Sequence, residues 1–85
     1  MLWGINENNQ NDFNVYPNPA QDKISIVGTS NNYSYSIFDM SGRVLIEGKA
    51  SSMTEQVNLS LLNQGAYLIK INNNNLITSL RFIKQ

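Results

Sequence analysis

Apolar and polar residues alternate along most of this chain, which is the pattern of half-buried β-strands. The alternation recurs in short runs separated by turn-forming Gly, Pro, Asn and Ser residues. Seven runs qualify as strands: residues 13–16, 22–27, 33–40, 43–47, 53–59, 65–71 and 76–84. No stretch shows helical periodicity over a useful length. The pattern therefore predicts an all-β protein, a seven-stranded antiparallel immunoglobulin-like β-sandwich.

The same alternation predicts which side chains face the core, because successive strand residues point to opposite faces. The inward set is apolar and spaced two residues apart: Ile24 and Ile26, Tyr35 and Ile37, Val57 and Leu59, Tyr67, Ile69 and Ile71, and Leu80 and Phe82. The third run differs, since Phe38 and Met40 place apolar side chains on its second face as well. That pattern favours a central strand, or one whose outer face is covered.

Residues 59–71 predict how the chain crosses between the two sheets. Asn63, Gln64 and Gly65 form a turn signal, because Gly reaches positive φ at no steric cost and Asn at little. Leu59, then polar residues, Gly65 and finally Tyr67 is the layout of a tyrosine corner, in which a buried Tyr hydroxyl binds upstream backbone. The alternative is an ordinary strand start with a half-buried Tyr.

The length of 85 residues allows one small domain. Residues 13–85 hold every predicted strand, whereas residues 7–12 are polar and aperiodic, so residues 1–12 are expected to be a linker from an absent upstream protein. Trp3 and Ile5 either end that protein or pack back onto the sandwich. The beginning of the chain lacks the pattern of a signal peptide, and its Asn-rich composition favours a piece of an exported protein over a complete small cytosolic one. Pro17-Asn18-Pro19 predicts that the first strand is an edge strand followed by a stiff corner.

The chain lacks two residue types that commonly catalyse reactions or bind metals. The chain has no His and no Cys, so the usual general base, thiol nucleophile and transition-metal ligands are missing. Its acidic residues are scattered singly, and Gly28, Gly42, Gly48 and Gly65 are each expected at a turn and not in a phosphate-binding loop. Six basic and six acidic residues give a net charge of zero, which argues against nucleic acid as a partner. We expect no enzyme, no cofactor, no metal and no small-molecule substrate.

Four motifs in a fixed order go further than composition. They are residues 15–20 followed by 22–26, residues 37–44, residues 59–71, and the closing residues 82–85. In this order they resemble the type A C-terminal sorting domain of the bacterial type IX (Por) secretion system, and the resemblance covers about residues 13–85.

The resemblance implies a non-catalytic C-terminal secretion signal that directs a fused N-terminal cargo across the outer membrane. Its partners would be the type IX translocon, which recognises the domain, and a sortase-like peptidase, which usually removes it by a cut in or before residues 7–12. The cargo would then be secreted or held at the cell surface. The alternative is an immunoglobulin-like adhesion or carbohydrate-binding module, which Trp3 and the tyrosines would serve.

The resemblance also implies which residues matter. Those on the family's sorting motifs are Gly42, Arg43, Gly65, Tyr67, Arg81 and Lys84, and those with a structural part are Pro17, Asn18, Pro19 and Asp39. Arg43 and Lys84 are the expected contact residues, because exposed cations beside a turn and at a terminus are not needed for folding. A merely solvated Arg43 is the alternative.

Overall fold

The computed structural model describes residues 13–29 and 32–85, which form seven strands in two sheets. The strands are β1 (Phe13–Tyr16), β2 (Lys23–Gly28), β3 (Tyr33–Asp39), β4 (Val44–Ala50), β5 (Thr54–Asn58), β6 (Gly65–Asn73) and β7 (Leu76–Lys84). One sheet has the order β1-β2-β5 and the other β4-β3-β6-β7, with every strand pair antiparallel. The predicted seven-stranded sandwich is confirmed. Within these ranges no helix is long and apolar enough to cross a membrane. The predicted linker, with Trp3 and Ile5, lies outside the described residues.

The core lies between the sheets and contains the inward residues that alternation predicts. The largest fully buried side chains are Phe82, Ile24, Ile26, Ile37, Leu59, Ile69 and Ile71. β3 is central, between β4 and β6, as its two apolar faces indicate. Phe38 is half-buried on its outer face, whereas Met40 lies in the following turn and is exposed. β1 is an edge strand, as the two prolines after it predict.

The β6–β7 hairpin is tighter than the predicted four-residue loop. β6 continues through Asn73, and the turn consists of Asn74 and Asn75 with φ of 53° and 71°. Asn adopts this left-handed conformation more readily than other non-Gly residues, because its short polar side chain can bind nearby backbone. The Asn72 side chain adds a hydrogen bond from the Asn75 backbone N–H, at 3.0 Å.

Three of the four glycines expected at turns lie within strand bounds, and the prediction is wrong for Gly28 and Gly48, whereas Gly65 begins β6 directly after its turn. Gly28 is the last residue of β2 and Gly48 lies inside β4. A Cβ at Gly28 would collide with the ring of Phe13, and one at Gly48 would collide with the Tyr35 phenol. Both glycines are therefore places where an aromatic ring lies directly against the strand backbone.

Candidate recognition end

The strand registers bring the four motifs together at one end of the sandwich. Asp39 of β3 is opposite Tyr67 of β6, which is opposite Phe82 of β7. One row further out, Gly65 pairs with Lys84, and Lys84 forms a parallel bridge with Ala20. We call this region the motif end and define it as residues 17–20, 39–43, 63–67 and 81–85.

The chain enters the sandwich at the opposite end. Phe13 begins β1 opposite Gly28, the last residue of β2. Its ring packs edge-to-face on Tyr33, the first residue of β3, with 4.9 Å between ring centroids. The motif end lies at the other end of β3, at Asp39, so whatever precedes Phe13 joins the domain away from the motif end.

Asp39 holds the β3–β4 turn together. Its Oδ1 accepts hydrogen bonds from the Ser41 hydroxyl at 2.6 Å and from the backbone N–H groups of Ser41 and Arg43, both at 3.0 Å. Its Oδ2 accepts one from Arg43 Nε at 3.1 Å. Gly42 completes the turn with φ of 94°, which a residue with a side chain rarely adopts. The Ser41 hydroxyl bond, followed by the Arg43 backbone bond, lowers the pKa of Asp39 from 3.8 to about 2.

The same turn presents an exposed cation, as predicted for Arg43. The Arg43 side chain is 76% exposed even though its Nε is bound to Asp39. Met40, in the same turn, is also exposed. Asp39 therefore fixes the position of a guanidinium whose outer edge faces solvent.

The tyrosine corner is confirmed. The Tyr67 hydroxyl donates a 2.6 Å hydrogen bond to the backbone carbonyl of Asn63, and its ring stacks on Phe82 with 5.7 Å between centroids. Gly65 has a φ of 153°, outside the range that side-chain-bearing residues usually adopt. Because Tyr67 is buried, it shapes this end by fixing the backbone and does not offer its own ring to a partner.

Pro17-Asn18-Pro19 forms a corner, as predicted, but its main contact was not foreseen. The Asn18 side chain donates to the Arg81 carbonyl at 3.3 Å and accepts from the Ile83 N–H at 3.0 Å. Ala20 continues the pairing, because its N–H donates to the Ile83 carbonyl and its carbonyl accepts from the Gln85 N–H, both at 2.7 Å. The segment thus covers the outer edge of the last half of β7 and ties it to the other sheet.

The expectation that Lys84 is an exposed cation is wrong. Lys84 follows Phe82 by two residues, so its side chain leaves β7 on the inward side, and it is only 9% exposed. Its Nζ reaches the Gln85 carbonyl at 3.1 Å. A cation at a terminal position is expected to be exposed, but the alternation that places Phe82 inside also places Lys84 there.

Arg81 is exposed on the outer face of β7, and its side chain has no ion-pair partner among the described residues. It lies directly opposite Leu68. Sequence reasoning did not foresee that Val44, Phe38 and Leu68 line up beside it on the outer face. The sequence does contain a signal for an apolar outer face, since Phe38 and Leu68 are apolar residues at positions that alternation assigns to the outside.

The described residues contain no metal-ligand cluster, and most of their tyrosines are buried. Among the described residues no three His, Cys, Asp or Glu side chains lie close enough together to hold a metal ion. Of the tyrosines that would serve a carbohydrate platform, Tyr33, Tyr35 and Tyr67 are buried and Tyr16 is exposed. The inward positions that alternation predicts for Tyr35 and Tyr67 are confirmed.

Comparison with known families decides the assignment. The model of the secretion system C-terminal sorting domain family matches residues 14–85. The chain belongs to this family. A sorting domain of this kind is a signal and not an enzyme, and it is associated with type IX secretion. It implies export to the cell surface or secretion as part of a longer protein.

One solved structure supports the fold independently. The sorting domain resembles part of PorZ of Porphyromonas gingivalis, described as an essential bacterial surface component of the type IX secretion system. The TM-score is 0.71 at 22% sequence identity, and the match covers 86% of this chain but 11% of the PorZ chain. At this identity the likeness shows a shared fold. None of the curated proteins gives a significant match.

Proposed function

We propose that the domain is the export signal of a longer protein and directs its attached cargo across the outer membrane through the type IX secretion system. The observation that carries this proposal is the motif end itself. Motifs up to 65 residues apart in sequence, such as those of Asn18 and Ile83, are in direct hydrogen-bond contact there. A surface assembled from the whole chain can be read only when the domain is folded.

The position of Phe13 supports the same function. A cargo that precedes Phe13 is attached at the end of the sandwich away from the motif end, so the attachment point itself leaves the motif end accessible to the translocon. A sortase-like peptidase could then release the cargo while the motif end stays bound.

Within the motif end we assign contact to the exposed cations Arg43 and Arg81 and a positioning role to the remaining sorting-motif residues. Asp39 and Gly42 shape the turn that carries Arg43. Gly65, Tyr67 and Lys84 act through packing and backbone geometry, and Pro17, Asn18 and Pro19 act by holding β7. Tyr67 and Lys84 are assigned a positioning role because they are buried, and Asp39 and Asn18 because their polar atoms are already bound within the domain.

The test is a fusion of the 85-residue chain to the C-terminus of a periplasmic reporter in a bacterium with a type IX system. We expect the reporter at the cell surface or in the medium, and mass spectrometry of the released reporter should place its new C-terminus in or before residues 7–12. Export of an uncut reporter would refute the cleavage step alone. Retention of the reporter in the periplasm would refute the function.

Arg43→Ala tests the assigned contact residue, and Lys49→Ala is its matched control. Lys49 is an exposed cation of β4 opposite Ser34, far from the motif end. We expect Arg43→Ala to lower export severalfold and Lys49→Ala to leave it unchanged, with both variants melting near the parent. Equal export from the two variants would show that the Arg43 side chain does not contact the translocon.

A further inference from the structure

The outer face of the β4-β3-β6-β7 sheet carries an apolar stripe. Val44 is opposite Phe38, Phe38 is opposite Leu68, and Leu68 is opposite Arg81, so these four residues form one row across all four strands. Ile83 lies on the same face in the next row, beyond Arg81. We call Val44, Phe38, Leu68 and Ile83 the outer stripe. Three strand spacings make the row about 14 Å wide.

The stripe faces solvent and not the core. Ile37, Ile69 and Phe82 are fully buried between the sheets, so Phe38, Leu68 and Ile83 beside them point outward. Val44 joins them because a register shift in the β3–β4 pairing places it opposite Phe38. Val44 is 43% and Ile83 37% exposed.

A polar row separates the stripe from Ile77, an exposed apolar residue two rows away on the same face. The row beside the stripe, further from the motif end, is polar throughout: Glu47, Ser36, Lys70 and Ser79. The solvent side of an antiparallel sheet is usually polar in this way, and exposed apolar clusters rimmed by polar groups mark interaction sites.

Cations surround the stripe. Arg43 precedes Val44 at one end of the row, and Arg81 closes it at the other. Lys70 Nζ lies 5.1 Å from the centre of the Phe38 ring. Two carboxylates lie nearby: Asp39 is bound to Arg43 within the turn, and Glu47 lies in the same row as Lys70. Arg81 is therefore the cation of these three that has no carboxylate in its turn or row. The chain has no net charge, so this local excess of positive charge is a property of the stripe.

We propose that the outer stripe docks an apolar segment of a protein partner that carries carboxylates on either side of its apolar residues. This proposal rests on the proposed function, in that the partner belongs to the export machinery, and it adds the chemistry by which that partner binds. The apolar residues would cover Phe38 and Leu68, and the carboxylates would pair with Arg81 and with the outer edge of Arg43. Arg81 is available for this because its side chain is unpaired within the described part of the domain.

The charges also argue against two other occupants. A second copy of this chain placed stripe to stripe would bring Arg43, Lys70 and Arg81 of both copies together, and like charges in contact disfavour association. An anionic membrane surface is usually recognised by clusters of about four to eight cations, more than surround this stripe. A protein segment with paired apolar and acidic groups fits the pattern better.

The test uses the reporter fusion with a stripe variant and a matched control. The stripe variant is Val44→Ser with Arg81→Glu, and the control is Ile77→Ser with Lys49→Glu. Each pair replaces one exposed apolar residue and one exposed cation on the same outer face, and the control pair lies in the row of Ser34 and Asn72, two rows away from the stripe. We expect the stripe variant to lose at least tenfold in surface export and the control to match the parent. Thermal melts of both chains establish that they are folded.

Single changes at Arg81 test the acidic part of the proposal. Export should fall in the order Arg, Lys, Gln and Glu at this position, because a carboxylate on the partner is repelled by Arg81→Glu and only loses a contact with Arg81→Gln. Equal export from Arg81→Gln and Arg81→Glu would refute the inference that the partner places a carboxylate at Arg81.

The remaining outcomes distinguish failure of the docking surface from failure of the proposed function. Parent-level export from the folded stripe variant would overturn the docking surface while leaving the proposed function intact, whereas failure of the parent fusion would overturn both. Binding of the parent chain, but not the stripe variant, to vesicles of phosphatidylcholine and phosphatidylglycerol would assign the stripe to a lipid surface instead. Stripe-dependent dimers in analytical ultracentrifugation would assign it to a second copy.

Discussion

Two buried tyrosine hydroxyls in this domain differ in one respect, and removing each should have opposite effects on stability. The Tyr67 hydroxyl is bound to the Asn63 carbonyl at 2.6 Å. The Tyr33 hydroxyl is also buried but finds no hydrogen-bond partner among the described residues. Burial, followed by the charge of Glu55, raises the pKa of Tyr33, in keeping with a poorly solvated hydroxyl.

The expected magnitudes follow from these surroundings. Tyr67→Phe removes one hydrogen bond, worth about 1 kcal/mol net. The freed carbonyl belongs to exposed Asn63, so water can bind it. The free energy of unfolding should therefore fall by no more than about 1 kcal/mol. Tyr33→Phe removes a buried polar group that gains nothing in the folded state, so it should stabilise by on the order of 1 kcal/mol. For a domain of this size each kcal/mol moves Tm by about 4–8 °C.

Thermal and urea melts of the two variants beside the parent chain measure the difference. Tyr67→Phe should melt below the parent and Tyr33→Phe above it, with a separation of about 2 kcal/mol in the free energy of unfolding. Because the same atom is deleted in both, loss of a hydroxyl as such cannot explain opposite signs. Equal destabilisation by both variants, or no effect of Tyr67→Phe, would refute the account of the corner.

Three further predictions concern the motif end. Gly65→Val should destabilise by about 1–3 kcal/mol in urea melts, more than Tyr67→Phe, because no atom crowds a Cβ there and the cost is backbone strain at φ 153°; parent-like stability would contradict it. Asn18→Ala should cost about 1–3 kcal/mol through two lost hydrogen bonds to β7, whereas Asn14→Ala, an exposed β1 residue, should be neutral, and equal effects would rule out the tie. The low pKa of Asp39 means that its stabilisation is complete above about pH 4 and is lost as pH falls toward about 2. Acid titration of stability should therefore be shallower for Asp39→Asn, and identical curves would show that the turn is not linked to this carboxylate.

Deletion of the last residues is a less informative test of recognition than these point changes. Residues 81–85 include Phe82 of the core and the backbone groups that Asn18 and Ala20 bind. We expect their removal to abolish export by unfolding the domain. An export defect in that deletion therefore says nothing about which surface the translocon reads, unless the melting curve is unchanged.

Alternation along the chain was enough to predict the sheets and most of the core, because nearly every inward position is apolar. The tyrosine corner was also predictable, since its Leu, Gly and Tyr offsets lie within nine residues of sequence. These features are local, and each needs only a short window to be recognised.

The remaining features depend on what distant segments do. The Asn18 contact with Arg81 of β7 joins residues 63 apart in sequence, and no local sequence pattern predicts it. The charge and terminal position of Lys84 predict exposure, yet strand alternation and the bridge to Ala20 place it inside. Gly28 and Gly48 lack a local signal for their strand positions, because the ring that lies against each belongs to another strand. That ring is Phe13 for Gly28 and Tyr35 for Gly48. The outer stripe needs the register of four strands, which sequence patterns do not supply.

The most direct measurement is the location of a reporter fused to this chain in two strains, one with the type IX translocon and an isogenic strain without it. Protease added to intact cells reports surface exposure. The proposed function predicts a protease-accessible or released reporter in the first strain and a protected, periplasmic reporter in the second. A reporter that stays protected in both strains would contradict it.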